Sequence, residues 1–267
     1  MQFVKFLPAA IALMFGAVSA HAALSVNSGT YSYSQSFDSL AASGSNAWTN
    51  DSTLAGWSLF NKSSSAVSTY SANDGASNAG AFYSYGSAGS SERALGGLGS
   101  GGSYFGSPAS GAVAGWIAVA FQNNSGSALK GFELSFDGEQ WRNGGNASKQ
   151  SMVLQYGFGS TFSSVTSWSA PGASFDWISP VASTSAAAVN GNVAGKATNL
   201  GGTINASWNV GDTLWVRWTE NNDVGNDHGL AIDNFKMSVV AVPEPETYAL
   251  FLAGLGLLGF AARRRNK

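Results

Sequence analysis

The stretch "AGWIAVAFQNNSGSALKGFELSF", Ala114 to Phe136, decides how the rest of the chain is read. In its second half Phe132, Leu134 and Phe136 fall on one face, with Glu133 and Ser135 on the other. Period-two alternation is what a strand with one buried and one solvated face requires. The Asn-Asn-Ser-Gly-Ser segment at 123–127 interrupts the apolar run with residues that favour turns. The stretch therefore predicts two strands joined by a turn. The same alternation recurs in "SMVLQYGF" (151–158), "DTLWVRWTE" (212–220) and "GLAIDNFKMSVV" (229–240). Outside the two ends of the chain no segment carries a helical period. The expected fold is all-β: a jelly-roll-like antiparallel β-sandwich over residues 23–241.

Composition agrees. Glycine supplies 34 residues and charged side chains only 10%, which suits short strands and many turns. Nine Trp and sixteen Phe carry too much apolar surface to be left in water, so the chain is expected to fold. Two glycine- and serine-rich stretches need separate readings. Residues 68–111 keep Phe82, Tyr83, Tyr85, Tyr104 and Phe105 among the small residues, and predict short strands with loops. Residues 183–203 lack such anchors and predict a mobile surface loop.

The first 22 residues read as an export signal: Lys5, then the apolar "FLPAAIALMFGAVSA", then "AHA" as a small-x-small cleavage site before Ala23. Residues 23–241 hold eight basic and thirteen acidic side chains, a formal charge of −5. Such a body offers no basic face for phosphates and argues against nucleic acid as a partner. The absence of cysteine excludes disulfides, thiolate metal sites and cysteine nucleophiles.

The chain ends in "VPEPETYALFLAGLGLLGFAARRRNK", residues 242–267. Pro243 and Pro245 hold a short segment extended on either side of Glu244. A run of about sixteen apolar residues follows, somewhat under the roughly twenty of a full membrane span. Arg263, Arg264 and Arg265 come next and are expected to stay on the cytoplasmic side. In order and spacing this tail resembles the PEP-CTERM sorting signal of exported bacterial proteins. The resemblance implies a transmembrane sorting helix, processing by a membrane-embedded exosortase, and a place in extracellular polysaccharide or biofilm matrix. It also implies at least transient insertion in the inner membrane before the protein reaches the cell surface.

Two internal stretches carry chemistry: "FDGEQWRNGG" (136–145) and "WTENNDVGNDHGLAIDNF" (218–235). They resemble a sandwich module of exported, surface-anchored bacterial proteins, in which a Gly-Glu-Gln-Trp-Arg segment partners a late Gly-Leu-Ala-Ile-Asp strand. One reading gathers Glu139, Trp141, Arg142, His228 and Asp233 at one end of the sandwich as a sugar site, the Trp141 indole being the platform. The competing reading makes Trp141 core and pairs Arg142 with Glu139 or Asp233. Asp223, Asn226 and Asp227, beside Asn221 and Asn222, offer oxygen ligands for calcium, although their spacing is not that of an EF-hand.

Enzyme readings are thin. His21 leaves with the signal, so His228 would have to serve any triad alone, and there is no Gly-x-Ser-x-Gly elbow. The pair Glu139 and Asp233 is the one candidate for glycoside hydrolysis. The leading expectation is a non-enzymatic exported surface protein. A carbohydrate-binding module at Trp141 and a secreted glycan hydrolase are the alternatives.

Overall fold

The computed structural model describes residues 23–241, with 251–255, 257, 258 and 264 beyond them. Strands follow in chain order as β1 (Leu24–Val26), β2 (Ser32–Gln35), β3 (Ser45–Ala47), β4 (Trp57–Asn61) and β5 (Thr69–Asn73). Next come β6 (Ala81–Tyr85), β7 (Ala94–Leu98), β8 (Ala112–Asn123), β9 (Leu129–Asn143) and β10 (Ser151–Phe158). The last are β11 (Trp177–Ile178), β12 (Ala187–Ala188), β13 (Lys196–Trp208), β14 (Thr213–Asn222) and β15 (Gly229–Ala241).

They form two sheets. One runs β1–β8–β14–β10–β11, with β4 also on β8. The other runs β12–β9–β15–β7–β6–β5–β3, with β13 on β9 and β2 on β15. Pairing is antiparallel except for two short parallel contacts, β1 with β8 and β5 with β6. The sheets pack as a sandwich over a shared apolar interior. From the first sheet come Trp57, Leu59, Ile117, Val119, Val216 and Trp218, and from the second Phe132, Leu134, Phe136, Ile232 and Phe235. Trp57 stacks on Trp218 with centroids 5.9 Å apart, and Phe235 stands edge-on to both at 5.4 and 5.5 Å.

The stretch at 114–136 forms its two strands, β8 and β9, yet they lie in different sheets. The turn between them is a crossing at the rim. Asn123 makes it possible: its side-chain amide donates to the carbonyls of Ser127 and Trp208, and Oδ1 accepts from Ser125. Further along, the chain alternates between sheets through β13, β14 and β15.

The stretch 183–203, expected as a mobile loop, is strand in part: Ala187–Ala188 form β12, and strand resumes at Lys196. Residues 196–203 open β13, which pairs with β9 from Glu139 back to Leu129. Its alternation is hidden because glycine stands where bulk cannot. Gly201 has φ +127°, and a Cβ there would lie 2.1 Å from the Leu134 carbonyl oxygen. Residues 68–111 do form short strands, β5 to β7.

A second apolar layer covers the outer face of the first sheet. Phe60, Phe162 and Trp215 are buried there, with Trp116 and Trp168 packed against them. The Arg217 guanidinium lies 3.8 Å from the Trp168 ring centre and 4.8 Å from Trp116, and it donates twice to Gln155 Oε1. Loss of water lowers its pKa to about 10, so it stays charged at neutral pH.

Candidate functional site

Along β9 the alternation turns Asp137, Glu139 and Trp141 away from the sandwich interior. Ordinarily that face would be wet. Here the segment leading into β13 folds across it: Val189 N–H donates to the Trp141 carbonyl, and Gln140 N–H donates to that of Gly195. Gly191 rests on the indole so closely that a Cβ would lie 2.4 Å from Trp141 Nε1. On its other side Trp141 stacks on Tyr85, centroids 6.2 Å apart and planes 1° from parallel. Trp141 is 1% exposed. The expected sugar platform is therefore core, because a covering segment fills the face on which a sugar ring would lie. Gly191→Val is expected to destabilise by about 1–3 kcal/mol through overpacking and to speed amide exchange across 189–196. Unchanged exchange would mean that the segment does not rest on the ring.

The central position of β15 brings Asp233 between β9 and β7, with Asp233 opposite Asp137 and Ile232 opposite Leu95. Glu92, just before β7, completes a cluster. One carboxylate oxygen from each of Glu92, Glu139 and Asp233 lies within 4.8 Å of the others. Glu139 is 0% exposed and Asp233 3%. Glu139 Oε2 accepts from Trp141 Nε1 at 3.0 Å, and Lys196 Nζ stands 3.5 Å from Oε1 and 3.3 Å from Asp137 Oδ2. Asn192 Nδ2 donates to Glu92 Oε2 at 2.6 Å, and Asn234 Nδ2 to Asp233 Oδ2 at 2.9 Å. Glu92 Oε1 and Asp233 Oδ1 are buried without a hydrogen-bond partner.

Electrostatics follow from that crowding. Burial, reinforced by the Glu92 charge, raises the Glu139 pKa to about 7 against the opposing pull of Trp141 and Lys196. Burial raises Asp233 to about 7 as well, with Glu139 and Glu92 adding to it. For Lys196 burial works against the charge, yet Glu139 and Asp137 outweigh it and its pKa rises.

Arg142 does not join Glu139 or Asp233. The pairing of β9 with β15 slips by one residue between Gly229 opposite Arg142 and Leu230 opposite Gln140. This bulge re-aims the side chain, and Arg142 Nη1 donates to the carbonyls of Gly75 and Ala76, each at 3.0 Å. His228 lies five residues before Asp233 on the same chain segment, ~16 Å away along an extended backbone. It is buried, its Nδ1 accepts from Gly144 N–H at 2.9 Å, and loss of water lowers its pKa. It fastens the end of β9 to the start of β15.

The loop at 223–227 closes on itself. Asp227 Oδ1 accepts from Asp223 N–H at 2.6 Å, and the Asn226 carbonyl accepts from Asn146 and Gln150. Among the described residues, the acids that converge are Glu92, Glu139 and Asp233. Sequence reasoning passed over Glu92, in a stretch read as short strands with loops, and Asn192 and Lys196, in one read as a loop. The scarcity of charge was the available signal: where only one side chain in ten is charged, an acid beside a buried strand is there for a reason.

As for hydrolysis, Glu139 and Asp233 are almost wholly buried, and Lys196 stands against Glu139.

Residues 241–265 match the PEP-CTERM protein-sorting motif, and the chain carries that signal. No curated protein matches the chain. Among solved structures, the CBM22-1 xylan-binding domain of Paenibacillus barcinonensis Xyn10C aligns at 8% identity with a TM-score of 0.37. The alignment covers 81% of this chain and 99% of that domain, a likeness too slight to bear on function. The expected leader at 1–22, with Pro243, Glu244, Pro245, Arg263 and Arg265, lies outside the described residues. Arg264 is exposed, as are the helical residues 251–255, 257 and 258. Among the described residues no helix is long and apolar enough to cross a membrane.

Proposed function

We propose that this is a non-enzymatic, exported cell-surface protein, sorted by an exosortase and retained in extracellular polysaccharide or biofilm matrix. The observation that carries the reading is the PEP-CTERM motif at 241–265. The division is a leader at 1–22, a sandwich body at 23–241 and a sorting tail at 242–267. The alternation of β13, β14 and β15 between sheets supports a jelly-roll-like wiring of the body. Burial of Glu139 and Asp233 supports a binding or structural role over hydrolysis.

The tail acts in two parts. Pro243 and Pro245 carry no backbone N–H to pair, which suits a segment that a processing enzyme must take up. The apolar run and arginines hold that segment at the membrane surface until processing. Replacing Pro243 and Pro245 together by alanine is expected to leave a longer precursor in the membrane fraction and to reduce the surface form at least several-fold. Fractionation and intact-mass measurement check this. Wild-type amounts of the surface form would overturn the sorting role.

A further inference from the structure

We propose that Glu92, Glu139 and Asp233 form a binding site for a hard divalent cation of the calcium class, independent of how the chain is sorted. The three carboxylates come from three separate segments and present oxygens within 4.8 Å of one another. Carboxylates gathered so closely in a buried place either share protons or are held by a cation, and the oxygens left without a donor favour the cation. Lys196 brings one positive charge, but Asp137 shares it, so the group keeps an excess of negative charge.

The hydrogen bonds show which oxygens are spoken for. Trp141 takes Glu139 Oε2, Asn192 takes Glu92 Oε2, and Asn234 takes Asp233 Oδ2. Left over are Glu92 Oε1 and Asp233 Oδ1, both buried without a partner, and Glu139 Oε1, which meets only Lys196 at the long distance of 3.5 Å. Asp233 as a whole is 3% exposed, so water does not readily satisfy its free oxygen. Two of the three carboxylates thus keep a buried oxygen with no donor and the third shares its own with Lys196, while the other oxygen of each is oriented by a donor, which is how a cation's ligands are held.

The chemistry of the donors selects the ion. All are oxygens; the chain has no cysteine, and His228 is engaged by Gly144. Zinc and copper prefer nitrogen and sulfur, whereas calcium accepts carboxylates in irregular arrangements, and the partly exposed Glu92 marks the side from which water would complete its shell. An ion here would tie together β9, β15, the approach to β7 and, through Asn192, the segment that covers Trp141.

The test uses the purified full-length chain, stripped with EGTA and titrated with calcium chloride or magnesium chloride. Saturating calcium is expected to raise the melting temperature by roughly 5–10 °C, with one ion bound per chain by calorimetry. Asp233→Asn and Glu139→Gln are expected to abolish that shift. Glu92→Gln, at a half-buried position where folding is safe, should weaken binding at least tenfold. Asp223→Asn with Asp227→Asn should leave it unchanged. No bound ion at millimolar calcium or magnesium would overturn the proposal. So would calcium binding that survives Glu92→Gln and Asp233→Asn but is lost in the Asp223/Asp227 variant.

Discussion

Replacing Trp218 by alanine is expected to cost about 3–5 kcal/mol and to lower the melting temperature by on the order of 10 °C. Trp218 is 0% exposed and joins the two sheets: it stacks on Trp57 of its own sheet and meets Phe136 and Phe235 of the other, at 5.3 and 5.5 Å. Alanine would leave a cavity bounded by rigid rings from both sides, which cannot collapse into it. Against a whole-domain stability of about 5–15 kcal/mol, that is a large share. Phenylalanine should cost much less. It keeps most of the ring and removes the Trp218 Nε1 donor, which is buried without a partner. Equilibrium unfolding of the two variants checks both statements. A cost under about 1 kcal/mol for alanine would show that the sheets do not depend on this contact.

Glu220→Gln is expected to stabilise the protein at pH 8 and to leave it unchanged near pH 4. Glu220 lies on β14, 3% exposed, with Oε2 unpartnered. Burial holds its pKa well above the ordinary carboxylate range, with the charges of Asp227 and Asp223 adding to the effect and a hydrogen bond from Gly99 opposing it. The folded chain therefore keeps a proton that the unfolded chain releases once pH passes the ordinary value of about 4.3. Below that value both states hold the proton and nothing is lost. Above it stability falls with rising pH until the folded value is reached, by about 1.4 kcal/mol for each unit between the two. Glutamine never ionises, so the variant escapes this decline. Asp227, Glu139 and Asp233, each raised to about 7 by burial, leave it a slope of the same sign without the share that Glu220 adds. Melting temperatures measured from pH 4 to 8 with chelator present test it. Parallel curves for wild type and variant would mean that Glu220 is not the group responsible.

Much of the fold was legible because its signals are local. β9, β10, β14 and β15 each declare themselves by alternation, and the turn at Asn123 by its residue types. What stayed hidden depends on where strands go afterwards. Nothing in 114–136 says that β8 and β9 belong to opposite sheets, since that is settled by the carbonyl of Trp208, 85 residues away from Asn123. β13 was obscured because Gly201 replaces the side chain whose periodicity would have marked it. At the site, Glu139 and Asp233 were legible as a pair. Their third partner and the covering segment were not, because burial of an outward face is a property of the loop laid over it.

β15 is the strand that would bear the load wherever the sorting tail tethers the body. It lies inside its sheet, with β9 along one edge and β7 and β2 along the other, and its last residue, Ala241, is where the sorting motif starts. Any tension on the tail passes straight into this strand. The ladder bonds run perpendicular to it, so such a pull shears the whole row together instead of opening it one bond at a time. An edge strand would meet that load with one ladder, whereas β15 spreads it over two. The body is gripped through its middle, and a cation at Asp233 would sit along the same line of force.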